Sequence, residues 1–451
     1  MSDLLQIGRS GIVAYRAALS TVGENVSNAE TEGYTRRTVS LSESAVSTSN
    51  NFQYRSSAVF GGVNVAGVQR VFDNYRSAAA RFAGSEASRA NAKATWLDTA
   101  EGALDDSDVG LGVKMSTVFN SAEAMSADVT SDTNRRTMLT ALNEAANQFN
   151  STASALKSAA DGVASSAQNT VSLVNADLKT LVQINTGLRR ATPGSAGQAL
   201  LQDQRDAVLQ RISGAIGVDV RLENDGRADV RLLGDTATKL VDSSRPDAAF
   251  VGLVQASDGR LSLVVSGLGA QTAVTPQSGS LAGLVDVSNT IASRREALDA
   301  TAATFASVIN TWNQAGIDRD GVAGAALISG TTATTIAVAT TDLSKIAAAS
   351  TTGVANGNAL ALKDYRNSSG PEAKWALLVS THAQSVSAAK AEQSATAAQR
   401  DGALQALDEV AGVDLDVEAA QLLRYQQAYS GSARIIQVAR ETLQDIFNLF
   451  S

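Results

Sequence analysis

From Leu422 to Phe450 the chain carries Leu422, Tyr425, Tyr429, Ser432, Ile436, Ala439, Leu443, Ile446 and Phe450 at spacings that alternate between three and four residues without a slip. Sustained over about four heptads, such a stripe keeps one face of a helix turned toward a partner helix. A chain that ends on a long seam must supply or find the other half of it. The start of the sequence offers one: Leu4, Gly8, Ile12, Tyr15, Leu19, Val22 and Val26 recur in the same way, behind Ser2 or Asp3 as a helix cap. The spacing predicts that the two ends of the chain pair as a coiled coil, with everything between them held at the far end.

What lies between divides by its pattern. Residues 38–69 are rich in Ser, Val and Gly, and Val63, Val65 and Val68 read as extended chain. Helical periodicity then dominates as far as Ile216, with one stripe at Met138, Leu142, Ala145, Phe149 and Leu156 and another at Val171, Val174, Leu178, Leu181 and Leu188. Residues 217–278 alternate instead, and Asn224-Asp225-Gly226 and Ser257-Asp258-Gly259 are hairpin signals between alternating runs. Helix returns with Ile291, Leu298, Ala302, Phe305, Ile309 and Trp312 on one face, and again from Glu372 to about Val410. The expected fold is mainly α with an inserted β domain. Its parts are a terminal coiled-coil domain (1–37 plus 412–451), a long-helix bundle with extended segments (38–216 plus 279–411) and a small antiparallel β domain (217–278).

Composition narrows the function. Of the 451 residues 44% are hydrophobic but only 4% aromatic, so Ala and Val carry much of the apolar share and the helices should be slender. A net charge of −8 argues against nucleic acid or an anionic membrane as the main partner. No cysteine and one histidine, His382, exclude disulfides, thiol chemistry and multi-histidine zinc sites. The first residues lack a basic start and an apolar core, so no Sec signal peptide is expected, and no apolar run is long enough to span a membrane.

No catalytic constellation emerges, and no catalytic, cofactor or metal residue is assigned. Asp105, Asp106 and Asp108 read as a solvated helix end. Asp318 to Gly321 is a fragment of a calcium-loop pattern without its closing Glu. His382 lies in a helical run without an evident partner, and Arg36-Arg37 is too short for a nucleic-acid patch.

The termini carry more than periodicity. Ala14, Ala18, Leu19, Asn25, Val26, Asn28, Thr31, Gly33 and Tyr34 resemble the N-terminal signature of the flagellar axial proteins of the rod, hook and hook-associated group. In that group an amphipathic helix leads into Asn-x-x-Asn and then Thr-x-Gly-aromatic; Glu32 stands here where Pro is frequent. Gly412-Val413, Leu415, Glu418, Gln426, Tyr429 and Ala433 resemble the C-terminal signature of the same group. Gly33-Tyr34-Thr35-Arg36 and the segments 200–220 and 278–318 are similar to the hook-associated members that stand between hook and filament.

The resemblance implies a structural subunit, not an enzyme, exported by the flagellar type III apparatus and needing no cofactor. Its implied partners are copies of itself in a ring or tube, the hook protein below, the second hook-associated protein above, and an export chaperone on the C-terminal helix. The subunit contacts are expected at Ile12, Tyr15, Leu19, Val22, Val26, Leu422, Tyr425, Tyr429, Ile436, Leu443, Ile446 and Phe450, with Asn25, Asn28, Gly33 and Tyr34 as the signature loop. Asn25 and Asn28 are expected to close the first helix, and both terminal segments to be mobile in the free monomer. Another axial protein, such as the hook protein or the second hook-associated protein, is the nearest alternative. A secreted helical adhesin or toxin is a more distant one, because no membrane-active run or ligand pocket is evident.

Overall fold

The computed structural model describes residues 2–31, 33–44, 61–235, 237–267 and 271–449. The chain opens with helix α1 (Ser2–Ser27) and crosses into an antiparallel ribbon of β1 (Arg37–Glu43) and β2 (Val63–Arg70), which has a bulge between Ser40 and Leu41. Helix α2 (Asn74–Ala103) follows, its first turn fixed by Asp73, which accepts from the amides of Tyr75 and Arg76 at 2.9 and 3.1 Å. Then come α3 (Leu111–Ala127) and α4 (Asp132–Arg190). At 59 residues α4 is the spine of the body, about 88 Å long at the standard rise per residue. Ser131 caps its start, and Arg189 and Arg190 in its last turn suit the negative end of the dipole. A turn at Pro193-Gly194 separates it from α5 (Ala196–Ala215).

The alternating segment folds into two three-stranded antiparallel sheets. One joins β3 (Val218–Leu222), β4 (Ala228–Leu232) and β5 (Lys239–Val241); the other joins β6 (Phe250–Gln255), β7 (Leu261–Ser266) and β8 (Thr272–Val274). Gly226 and Gly259 sit at positive φ in the two hairpin turns, at 88° and 94°, where the sequence marks them. The chain returns through α6 (Ser280–Gln314). It then makes short pairings of β9 (Gly316–Ile317), β10 (Ile328–Ser329), β11 (Ala337–Val338) and β12 (Ala349–Ser350), and a short α7 (Gly357–Ala361). Two long helices finish it, α8 (Pro371–Ala411) and α9 (Leu415–Leu449).

The apolar stripes read from the sequence become one continuous core. Met138, Leu142, Ala145, Phe149 and Leu156 of α4, and Leu298, Ala302, Phe305, Ile309 and Trp312 of α6, are all buried within it. Phe149 and Phe305 meet with ring centroids 5.7 Å apart. The buried tryptophans satisfy their indole N–H groups, Trp312 on the Asn358 carbonyl at 2.6 Å and Trp375 on Asp106 at 2.7 Å. Asp106 therefore belongs to a helix contact and not simply to a solvated helix end. Along α2 the buried positions are mostly Ala and Ser, including Ala80, Ser85, Ala87, Ala90 and Ala94, and small side chains let α8 lie close beside it.

Helix and strand are joined by one repeated device. Asn175 of α4 donates to the Val251 carbonyl at 2.8 Å and accepts from the Val251 amide at 2.9 Å. Asn185, ten residues along, does the same with Ala228 at 2.9 and 2.9 Å. Asn310 of α6 does so with Ile328 at 2.8 and 2.9 Å. Each sheet that rests on α4 is thus pinned by one asparagine at one strand residue. Asn185→Ala would orphan both backbone groups of a buried strand residue, and a cost of about 3 kcal/mol is expected. Urea denaturation followed in the near ultraviolet checks this. Gln168→Ala, at an exposed position of the same helix, serves as the control and should cost less than about 0.5 kcal/mol.

Candidate functional site

Among the described residues no group of three or more His, Asp or Glu side chains is placed to hold a metal ion. Asp318 accepts from the amides of Asp320 and Val322, and Asp320 pairs with Lys345 at 2.6 Å, so the calcium-loop fragment is a closed turn. A cleft of about 490 Å³ opens between β2, the 193–198 turn and the β3–β4 hairpin. Its two arginines, Arg70 and Arg205, are already paired with aspartates. The distinctive geometry lies where the two chain ends meet the body.

Helices α1 and α9 run antiparallel. Gly8 and Gly11 lie against Ser432 and Ile436, Tyr15 faces Tyr425 with centroids 6.4 Å apart, and Asn25 touches Glu418. The seam is set by small residues. A Cβ on Gly8 would stand 2.6 Å from Ile436 Cγ1, and one on Gly11 would stand 2.5 Å from Ser432 Oγ, so a larger residue at either site would force the helices apart. The buried line on α1 is Gly8, Gly11, Ala14, Ala18, Val22 and Asn25. On α9 it includes Glu418, Ser432 and Ala439.

The large residues expected along the seam differ in how far this pair covers them. Val22 is buried, and Ile12, Tyr15, Leu19, Leu422, Tyr425, Ile436 and Leu443 are half-buried along the pair. Val26, Tyr429 and Ile446 are more open, exposed at 43%, 36% and 38%. On α9 the expected stripe, with Ser432, Ile436 and Ala439, is the contact line, whereas on α1 the closest approach runs through Gly8, Gly11, Ala14 and Ala18, because backbones approach most closely where side chains are smallest. Phe450 lies outside the described residues.

Asn25 is the hub of the joint below this pair. Its Oδ1 accepts from the Arg37 amide at 3.0 Å and from the Tyr34 hydroxyl at 2.9 Å. Its Nδ2 donates to the Arg37 carbonyl at 2.9 Å and to Glu418 Oε2 at 3.0 Å. All the hydrogen-bonding capacity of one buried amide is used, which fixes its orientation. Burial raises the Tyr34 phenol above its ordinary value, partly offset by Arg37, so the hydroxyl stays protonated and donates. Gly33 supplies the positive φ, 77°, that turns the loop back toward the helix. Asn28 closes α1, its amide and side chain both donating to the Glu24 carbonyl at 3.0 and 2.8 Å. The two signature asparagines thus have different tasks: Asn28 ends the helix and Asn25 binds three elements together.

Charges extend the joint into the body. Glu418, fully buried, accepts from Arg36 Nε at 2.7 Å, and the Arg36 amide donates to the Ala411 carbonyl at 2.9 Å. Arg37 leaves the loop on the other side, stacks 5.0 Å from the Tyr34 ring and pairs with Asp203 of α5 at 2.8 Å. Arg70 of β2 bridges Asp203 and Asp206 at 2.7 Å each and donates to Thr35 at 2.9 Å. Arg205 pairs with Asp206 at 2.6 Å and donates to the Gly226 carbonyl in the β3–β4 hairpin. Both Arg70 and Arg205 lie over Phe72, at 5.3 and 5.9 Å. Ion pairs thus run from α9 to the β3–β4 hairpin.

Sequence reasoning marked Tyr34 and Glu418 as signature positions without a role, expected Asn25 to close the first helix, a task that falls to Asn28, and missed Arg70, Asp203, Arg205 and Asp206. The available signal was the cluster of charge in Gln202-Asp203-Gln204-Arg205-Asp206, between Leu200-Leu201 and Val208-Leu209. Asn25→Asp would bring a second carboxylate within about 3 Å of Glu418 and remove a donor, at an expected cost of about 3 kcal/mol. Tyr34→Phe removes one hydrogen bond and should cost about 1 kcal/mol. Amide exchange of residues 412–425 in the full chain checks both, with the aspartate variant expected to open this segment far more than the phenylalanine variant.

Comparison with known proteins agrees with the geometry. Residues 97–328, just over half of the chain, match the model described as "Flagellar hook-associated protein FlgK helical domain". Residues 403–449 match "Flagellar basal body rod FlgEFG protein C-terminal". Flagellar hook-associated protein 1 of Bacillus subtilis (strain 168) is 26% identical over 493 aligned positions, covering 98% of this chain and 97% of that one. Flagellar hook-associated protein 1 of Escherichia coli (strain K12) is 26% identical over 337, covering 72% of this chain; the match spans 59% of the length of that relative. The solved flagellar hook junction protein FlgK from Burkholderia pseudomallei superposes with a TM-score of 0.50 at 21% identity, covering 55% of this chain and 46% of that one, which speaks to the fold. With its helical body matched over more than half of its length, and its two ends built into one helix pair, the chain belongs to the FlgK family of flagellar hook-associated proteins.

Proposed function

We propose that this chain is a structural subunit of the bacterial flagellum that forms the junction between hook and filament. The observation that carries the reading is the joint. The N-terminal and C-terminal segments meet in one antiparallel pair, and Asn25 and Glu418 key that pair to the body. A tube subunit needs its first and last residues side by side and held at a defined angle to the rest. The half-buried and exposed apolar residues of the pair, Leu4, Val13, Val26, Leu423, Val438 and Ile446 among them, supply faces for neighbouring copies.

In this reading the parts are a terminal pair (1–37 plus 412–451), a helical body (38–216 plus 279–411) and the β segment between them (217–278). Copies of the chain contact one another laterally, the hook protein lies below and the second hook-associated protein above. The chain leaves the cell by the flagellar type III route, and an export chaperone covers α9 beforehand. The work is mechanical and calls for no catalysis. The match of residues 403–449 to a rod-protein model keeps a second reading open, in which the chain is another axial subunit of the same group.

Electron microscopy of a strain lacking the chain separates the two. Hooks of normal length without filaments, with filament protein lost to the medium, are expected; absence of hooks would favour the second reading. Gly11→Leu should block rescue of such a strain while leaving the body folded by circular dichroism, because only the terminal pair is forced apart. Removing residues 422–450 should abolish chaperone capture, and retained capture would count against α9 as its site.

A further inference from the structure

The chain has a single histidine. His382 is 1% exposed on α8, at the place where that helix meets α2 and α6. It lies 3.0 Å through Nε2 from the Leu97 carbonyl of α2. A carbonyl can only accept, so Nε2 carries the proton of the neutral ring and Nδ1 holds a lone pair. Nδ1 is buried and has no hydrogen-bond partner among the described residues.

Arg294 of α6 reaches the same stretch of α8. Its Nη2 donates to Ser385 Oγ at 3.2 Å and lies 3.5 Å from the Thr381 carbonyl, and its buried Nε has no partner among the described residues. From α2, Glu101 faces the site, and Asp98 is engaged with Lys390 of α8 at 2.5 Å.

We propose that His382 makes the meeting point of α2, α6 and α8 an acid-labile joint. A proton added at Nδ1 has no acceptor there and places a second cation beside Arg294, so α8 lets go of its two neighbours around residue 382. Only the cohesion of the helical body is involved, and the functional reading above does not bear on it.

The electrostatic balance agrees. Burial pushes the imidazole below its ordinary value, the Leu97 hydrogen bond opposes this, Arg294 pushes it down further, and Glu101 acts weakly the other way. A folded-state value below the unfolded one means that the unfolded chain binds the extra proton. Stability is therefore complete above about pH 6.5 and falls as pH drops from there to the folded value, by about tenfold in the folding constant per pH unit.

One histidine gives one imidazole C2 resonance in the full-length chain, which makes the test direct. Its titration midpoint is expected below 6.5, the ordinary value. Between pH 6.5 and 5, amide opening in residues 375–389 should rise by up to about tenfold per pH unit after correction for intrinsic exchange. His382→Gln keeps a side-chain N–H for Leu97 and cannot titrate, so its opening should be flat over the same range. Arg294→Met should raise the midpoint of the resonance. A midpoint at or above 6.5 in the folded chain would overturn the proposal, as would equal acid sensitivity in His382→Gln. Should that variant fail to fold, a midpoint unchanged in Arg294→Met would overturn it as well.

Discussion

An asparagine side chain presents one acceptor and one donor group, as a peptide unit does, and four times among the described residues this chain uses it to fasten a strand to a helix. Asn25 holds Arg37, Asn175 holds Val251, Asn185 holds Ala228 and Asn310 holds Ile328, each through both the N–H and the C=O of the strand residue. The strands concerned are two to seven residues long, and such short pieces form marginal sheets by themselves. What makes them part of the body is a helix that supplies the missing partner where the strand residue has no neighbour, and apolar side chains beneath it. The β segments depend on the long helices for position, and the helices carry few bulky residues with which to hold them otherwise.

At Asn25 the same device is put to a different use. There the amide also binds Tyr34 and Glu418, so one side chain reads the end of the first helix, the signature loop and the start of the last helix together. Burying Glu418, Asp203, Arg70 and Arg205 in such a place is costly unless every charge is met, and an apolar contact could hold as firmly. The pairing of charges across the joint meets that cost and adds direction. Hydrogen-bonded ion pairs are directional, whereas an apolar patch would let the terminal pair slide or tilt. In the proposed role as a flagellar subunit, ends held at a fixed angle would gain from that restriction.

Much of this architecture is legible in the sequence. The apolar stripes of α4 and α6 are the buried stripes of the core, the two hairpins turn at Gly226 and Gly259, and the pairing of the chain ends follows from two long periodic segments. These features repeat along the chain, so local periodicity reports them. The seam itself is less legible. On the first helix the closest contact runs through Gly8, Gly11, Ala14 and Ala18 and not only through its large residues, because the closest approach of two helices is governed by what is absent from a position. The charged joint is least legible of all. Arg36 finds Glu418 across 382 residues, and Arg37 finds Asp203 across 166. No spacing rule links residues so far apart.

The sequence by itself determined the long helices, their buried faces, the β segment and the meeting of the two ends, because periodicity and turn chemistry act within a few residues. Tertiary structure alone decided where on the first helix the closest contact falls, which task each signature asparagine performs, and which carboxylate each arginine meets. Those outcomes depend on how closely backbones can approach and on pairing buried charges and amides across distant segments, and both are properties of the assembled chain.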